Sequence, residues 1–303
     1  MTPAGWVALA MVGAAAPLVA GIAVKTKSLL TGRRGAPVLQ PYADLGKLIR
    51  KGTVYSRTTT WVFRAAPVVV LGSQIVATLF LPLDGRSAPA GFAGDVVAFA
   101  GLLALARFAL VLAGLDTGSS FEGMGASREV TIASFAEPAL FLCFIALVLA
   151  TDTVSVSGML GTPLAAAWPR AGASLSLVGI SLFVLLLAEN SRVPVDDPAT
   201  HLELTMIHEV IVLDHSGPDL ALILYGSALK LTLFAVLVVS VFVPRAALPG
   251  PAAVAILFAG LGAVAVAVGV VESIMARLRL SRVPQLLVGA AALALFGIIL
   301  QLR

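Results

Sequence analysis

Hydrophobic residues gather into eight stretches, near 5–24, 61–83, 92–115, 131–151, 172–189, 219–243, 251–275 and 283–302. Between them glycine, proline and charge take over. A helix needs about 20 apolar residues to cross a hydrocarbon layer of about 30 Å, and each stretch comes close to that length. The runs are continuous in Leu, Val and Ala and lack the alternation that marks barrel strands. Glu137-Pro138 interrupts the fourth stretch and serines dilute the fifth. The pattern predicts an all-α integral membrane protein, a bundle of about eight transmembrane helices. It forms one polytopic domain over 1–303, with long loops near 25–60, 116–130, 190–218 and 276–282 that carry short amphipathic helices.

Composition agrees and narrows the class. Charged residues make up 12% and hydrophobic ones 59%, with mean hydropathy +1.02. Soluble domains carry about 25% charged residues. A soluble enzyme, a disordered chain and a disulfide-stapled chain are all excluded. Cys143 is the only cysteine and sits in an apolar run, where it is expected simply to pack. The first span has no Lys or Arg before it, unlike a cleaved signal peptide, so it is expected to be retained.

The net charge is +4 and the pI near 9.6. Basic residues beside apolar spans point to membrane topology and away from nucleic acid. Lys25, Lys27, Arg33, Arg34, Lys47, Arg50, Lys51, Arg57, Arg128, Arg192, Arg277, Arg279 and Arg282 lie in odd-numbered loops. Only Arg86, Arg170, Arg245 and Arg303 lie on the other side. The asymmetry places the odd loops in the cytoplasm and both termini outside. The outer connections are short, except for a stretch around 155–171 that reads as polar cover. The inner loops are long and ionisable, as a docking surface for a soluble partner would be. In the first loop, YADLGKLIR puts Leu45, Leu48 and Ile49 on one face and Lys47 and Arg50 elsewhere. That spacing reads as a basic amphipathic helix at the membrane surface, or as an ordinary positive-inside loop.

The fifth loop holds all three histidines, His201, His208 and His215. It also holds Glu189, Asp196, Asp197, Glu203, Glu209, Asp214 and Asp219, seven of the 16 acidic residues. Pro198 in a first turn, with Asp197 as N-cap, predicts a helix through ATHLELTMIHEVIVL. His201 and His208 would share one face, two turns apart. Metal binding, a solvated surface helix and a partly buried proton relay compete for this segment. Spacing of the HExxH kind is absent, and the helix is too apolar for a solvated face. Groups that titrate near neutrality in a low dielectric suit a relay, and the relay is favoured.

Charges within spans point the same way. A central charge costs about 2.5–3.5 kcal/mol on insertion scales. Arg64 and Glu272 lie near span ends and are expected to snorkel; Arg107, Glu137 and Lys230 lie deeper. Lys230 is roughly 16 Å into its span. Pro138 frees a backbone carbonyl beside Glu137. For each of these three a static buried ion pair is the competing, less favoured reading. The third loop, AGLDTGSSFEGMGASRE, lacks the glycine spacing of a phosphate cradle and reads as a close-packed turn.

With these motifs in view, the chain resembles the subunit 1 family of respiratory complex I and its relatives in membrane-bound hydrogenases. GRRGAPVLQPYADLGKLIRKG is similar to that family's first-loop signature and AENSRVPVDDPATHLELTMIHE to its fifth-loop signature. The second string, with AGLDTGSSFEGMGASRE, looks closer to the formate hydrogenlyase and hydrogenase-4 type than to the quinone-reducing type. LILYGSALK lacks the carboxylate that complex I carries near the start of its sixth span. The resemblance implies a non-catalytic subunit with no cofactor of its own and no resident metal. Iron–sulfur clusters and a nickel–iron centre would belong to partner subunits. It would hold a peripheral iron–sulfur and hydrogenase-like arm against antiporter-like membrane subunits and lipid, with quinone left as an open partner. It also implies a proton path through Glu137, Glu189, Asp196, Glu203 and Glu209, to which the loop and span charges add His201, His208, Arg107 and Lys230. Docking of the arm would use Arg34, Gln40, Pro41, Asp44, Lys47 and Arg192.

Overall fold

The computed structural model describes residues 3–196 and 207–302. Eleven α-helices are present among them: α1 (Pro3–Leu30), α2 (Gln40–Ile49), α3 (Trp61–Thr78), α4 (Asp95–Asp116), α5 (Ser120–Thr151), α6 (Val156–Met159), α7 (Thr162–Glu189), α8 (His208–Ile211), α9 (Gly217–Phe242), α10 (Gly250–Ile274) and α11 (Val283–Gln301). Eight of them are long and apolar enough to cross a membrane, and no strand occurs among the described residues. The all-α bundle expected from the hydropathy pattern is what forms.

Two-thirds of the apolar window of α9 (67%) is buried, against 28% for the last span, so α9 is the core helix and α11 a flank. Around α9 stand α3, α7, α1 and α10; α4 covers α3, and α5 and α11 cover α7. In a bilayer the hydrophobic effect gives helices little reason to associate, so packing and interhelical hydrogen bonds must hold them. Both are evident. Ser181 Oγ donates to the carbonyl of Ala290 at 2.8 Å, and Ser174 Oγ to that of Gly297 at 2.7 Å, tying α7 to α11. Cys143 is fully buried and donates to Ser181 Oγ at 3.2 Å, which matches its expected packing role. Pro17 in α1 cannot donate to the carbonyl of Gly13, and Tyr225 of α9 takes that acceptor at 2.8 Å.

The basic amphipathic helix of the first loop is real, as α2. None of its residues is fully buried. It nevertheless docks on the bundle rather than floating: Tyr42 donates to the carbonyl of Ala14 at 2.5 Å. The chain entering α2 crosses α1 so closely that a Cβ at Gly21 would lie 2.1 Å from the Val38 carbonyl oxygen. Only glycine fits there.

Several expectations need correction. The first span extends to Leu30 and the second stops at Thr78. The third loop is not a turn: from Ser120 it is already helical, and the fourth span starts eleven residues earlier than the hydropathy minimum implied. The close packing expected there holds, but between helices, since a Cβ at Gly125 would meet Ile211 at 2.9 Å. The supposed polar cover at 155–171 is helix α6 and the first turns of α7, with Val156, Met159, Leu160 and Leu164 buried. A kink at Ala171 (φ −118°, ψ 17°) joins that segment to the rest of α7. In the fifth loop, residues 197–206, including Asp197, Pro198, His201 and Glu203, lie outside the described residues. In the described part, helix covers only His208–Ile211, so it does not run on to Leu213.

Candidate functional site

The three deep charges, Arg107, Glu137 and Lys230, meet with Glu129 and Glu189. Arg107 from α4 directs Nη1 to the Glu137 carboxylate of α5 and Nη2 to the Glu189 carboxylate at the end of α7. Its Nε lies 3.5 Å from Glu129, also on α5. Lys230 of α9 reaches the same oxygen of Glu189 at 2.8 Å. One guanidinium therefore holds three carboxylates, and one carboxylate holds two cations, across four helices. Such a cluster satisfies charges that each helix alone could not bury. The side chains of Arg107 and Glu189 are 8% and 4% exposed, whereas that of Glu137 is 43% exposed on the flank of the bundle.

Beside the cluster lies a cavity of about 730 Å³, walled by α1, α2, α3, α4, α9 and the segment after α7. Arg107, Glu129, Glu189 and Lys230 face it; Glu137 is not among its lining residues. Most of its wall is apolar, yet Gln74 Oε1, Asn190 Oδ1 and both ring nitrogens of His215 are buried in it without a protein partner. His208 lines it too, with Nε2 3.1 Å from Ser227 Oγ. Burial pushes the His208 imidazole below its ordinary range, and nearby Glu129 opposes that shift. His215 stacks on Phe63 at 3.9 Å between ring centres, and burial takes its pKa down to about 4.

The remaining predicted residues fall into two groups. Asp196 and Glu209 line the cavity, and Asp196 pairs with Arg277 at 3.0 Å while accepting from the Ile207 N–H at 2.9 Å. His201 and Glu203 lie outside the described residues. Of the docking set, Arg34 and Lys47 are exposed, Gln40 donates to Asp44 at 2.9 Å, and Pro41 and Asp44 edge the cavity. Arg192 turns inward and pairs with Glu272 at 3.3 Å. Glu272 is 5% exposed and also faces Lys27 at 3.8 Å, so it is held by two cations and does not snorkel. Arg64 does lie at the surface end of α3, over the Tyr55 ring at 4.6 Å.

Sequence reasoning passed over Glu129, Gln74 and Arg277. The signal for Glu129 was its spacing: eight residues before Glu137, it falls roughly on the same side of a helix. Reading the stretch as a turn hid that.

Fold and site together define a multi-pass, all-helical membrane protein with a buried ionic cluster beside a cavity. The chain belongs to the NADH dehydrogenase family, whose sequence model matches residues 4–302. It is 34% identical to hydrogenase-4 component C of Escherichia coli K12 over 231 residues, covering 75% of this chain and 71% of that one. It is 31% identical to formate hydrogenlyase subunit 4 of the same organism, covering 90% of each. An NADH-quinone oxidoreductase subunit of Rickettsia prowazekii is 25% identical over 257 residues, covering 80% of this chain and 74% of that one. A chain of the archaeal membrane-bound sulfane sulfur reductase shares the fold, with a TM-score of 0.84 over 98% of both chains at 20% identity.

Proposed function

We propose that this chain is the membrane subunit of a complex I-related hydrogenase or oxidoreductase complex. It holds a peripheral iron–sulfur arm, carrying a nickel–iron centre or its descendant, and couples electron transfer there to translocation of protons or sodium. It contributes no cofactor of its own. The loops bearing Arg34 and Lys47 face the cytoplasm and the arm, and both termini face outward, in keeping with the basic asymmetry of the loops. Antiporter-like membrane subunits would flank the bundle. The names of the two Escherichia coli relatives support a hydrogenase setting.

The observation that carries the reading is the Arg107–Glu137–Glu189–Lys230 cluster. Buried charge in a membrane bundle is retained at a cost and marks ion pathways. The cluster touches a cavity on one side, and on the other it presents a half-exposed carboxylate to the flank. In Glu137→Gln the shape and much of the hydrogen bonding remain, while the group can no longer release a proton. The expected result, in the purified complex reconstituted in vesicles, is normal assembly and at least a ten-fold fall in ions moved per electron. A wild-type ratio would make Glu137 structural. A free-standing transporter, the reading from another class, would instead purify active without soluble iron–sulfur partners.

One observation favours a second reading: an apolar-walled cavity of about 730 Å³ could seat a quinone ring and tail. Extraction of stoichiometric quinone from the purified complex would support it.

A further inference from the structure

The cavity has two ends of different character. Around Arg107, Glu189 and Lys230 its wall is ionic. Toward α1, α2 and the first half of α9 it is built from Pro17, Ala20, Val24, Leu45, Leu220 and Leu224. Among the lining residues, Val24, Asp44, Leu213 and Leu224 are also exposed, so a mouth lies between α1, α2 and the start of α9. Val24 and Leu224 belong to membrane-spanning helices, which turns part of this mouth sideways, toward hydrocarbon. From Val24 to Pro17 the apolar end runs about 10 Å along α1.

An apolar recess open to a bilayer does not stay empty. Water finds few partners on such a wall, whereas an acyl chain gives up nothing by leaving its neighbours for it. The rim adds charge. Lys25 follows Val24 directly, and the exposed Lys47 lies one turn beyond Asp44 on α2. Arg50 and Lys51 are exposed just past α2. There the chain passes so close over Gly217, the first residue of α9, that a Cβ would meet the Gly52 carbonyl oxygen at 2.6 Å. Over 25–60 the chain carries eight cations and one acid, Asp44. Of the acids nearby, Asp44 accepts from Gln40 at 2.9 Å and Asp219 from the Tyr55 hydroxyl at 2.8 Å, so both are already hydrogen-bonded. Leu39 and Ile49, at the two ends of α2, are each 63% exposed beside these cations, the mixture that suits a membrane surface.

We propose that this mouth binds an anionic phospholipid, its phosphate held by Arg50, Lys51 and the lysines of α1 and α2, and one acyl chain laid in the apolar end of the cavity. Basic rims on the cytoplasmic side of a bundle recognise such headgroups, and the apolar wall selects a chain rather than a free phosphate. The lipid site goes beyond the coupling function and does not depend on it. It fills the end of the cavity that a quinone tail would need and leaves the ionic end to the charge cluster.

The test uses the whole complex in nanodiscs of phosphatidylcholine, doped with a phosphatidylglycerol whose acyl chain carries a diazirine. Irradiation and peptide mapping read which residues the chain touches, and assembly is checked by recovery of all subunits. Labels should fall on Ala20, Val24 and Leu224, and the same probe with a choline headgroup should label them roughly ten-fold less. Arg50→Gln together with Lys51→Gln, both at the surface, should bring the glycerol probe down to the choline level. Equal labelling by the two headgroups in the wild type, or an unchanged double variant, would overturn the charge-selected site. Absence of label from these three residues in the assembled complex would mean that a protein partner covers the mouth, and the proposal fails. Added short-chain ubiquinone should leave the labelling unchanged; displacement would assign the recess to quinone and overturn the lipid site. None of these readouts measures ion movement, so the coupling function stands or falls separately.

Discussion

At Phe63, a histidine and a benzene ring lie nearly parallel, 13° apart, and the packing dictates the chemistry of the imidazole. His215 is 3% exposed with neither ring nitrogen bonded to protein, so charging it would place an ion where little solvates it. Its pKa falls from 6.5 to about 4, with Asp219 and Asp214 only partly opposing the burial. The unfolded chain takes up a proton near the ordinary value and the folded chain does not. Stability is therefore complete above pH 6.5 and declines as the pH falls toward about 4. Thermal unfolding of the detergent-purified protein should show this, and His215→Phe should lose less stability than the wild type, by roughly 1–2 kcal/mol at pH 5. Parallel pH curves for the two would refute the assignment. Singly, Arg107, Glu137 and Lys230 could be picked from the sequence because isolated charges in apolar runs are conspicuous. Glu272 was misjudged because depth along a span says nothing of which neighbour it faces; here Arg192 and Lys27 do.

Helices were legible where they are apolar along their length, the protein-buried α9 included, and obscure where their ends carry charge. The first turns of α5 carry Glu122, Arg128 and Glu129, which lower the hydropathy without weakening the helix. Glu122 accepts from the Asp214 N–H at 3.1 Å and Glu129 reaches Arg107, so tertiary partners account for the polarity. Hydropathy reads the lipid environment, while backbone bonding sets where a helix begins, and the two diverge at the ends that carry the site. The amphipathic α2 was legible because its apolar face repeats at helical spacing. Its seat was not, since that depends on Gly21 lying under the Val38 carbonyl. Gly21→Val should lift the entry to α2 off α1 while leaving the long helices intact. Limited proteolysis of membranes should then cut the 31–60 segment several-fold faster, with unchanged helix content by circular dichroism. Unchanged cleavage would show that α2 is held by Tyr42 and α9 alone.

Across the whole molecule, the charge cluster binds α4, α5, α7 and α9 into one unit, so the bundle's integrity and its charge balance are the same question. Removing one member of a buried ion pair typically costs about 3–5 kcal/mol, whereas replacing both by apolar groups is near neutral. Glu189→Leu should therefore reduce the amount of inserted, full-length protein several-fold. The double change Glu189→Leu with Lys230→Met should recover most of it, because Arg107 still has Glu129 and Glu137. Membrane-fraction immunoblots compare the two, and a double variant no better than the single would contradict the pairing. The same cluster sets a timetable for biosynthesis. Arg107 leaves the ribosome 30 residues ahead of Glu137 and 82 ahead of Glu189. At about 5–20 residues per second, the first counter-charge follows within about 2–6 s and the second within about 4–16 s. The nascent chain thus receives a partner for Arg107 with the very next span, and Lys230, the other cation of the cluster, enters a bilayer in which its carboxylate is already waiting.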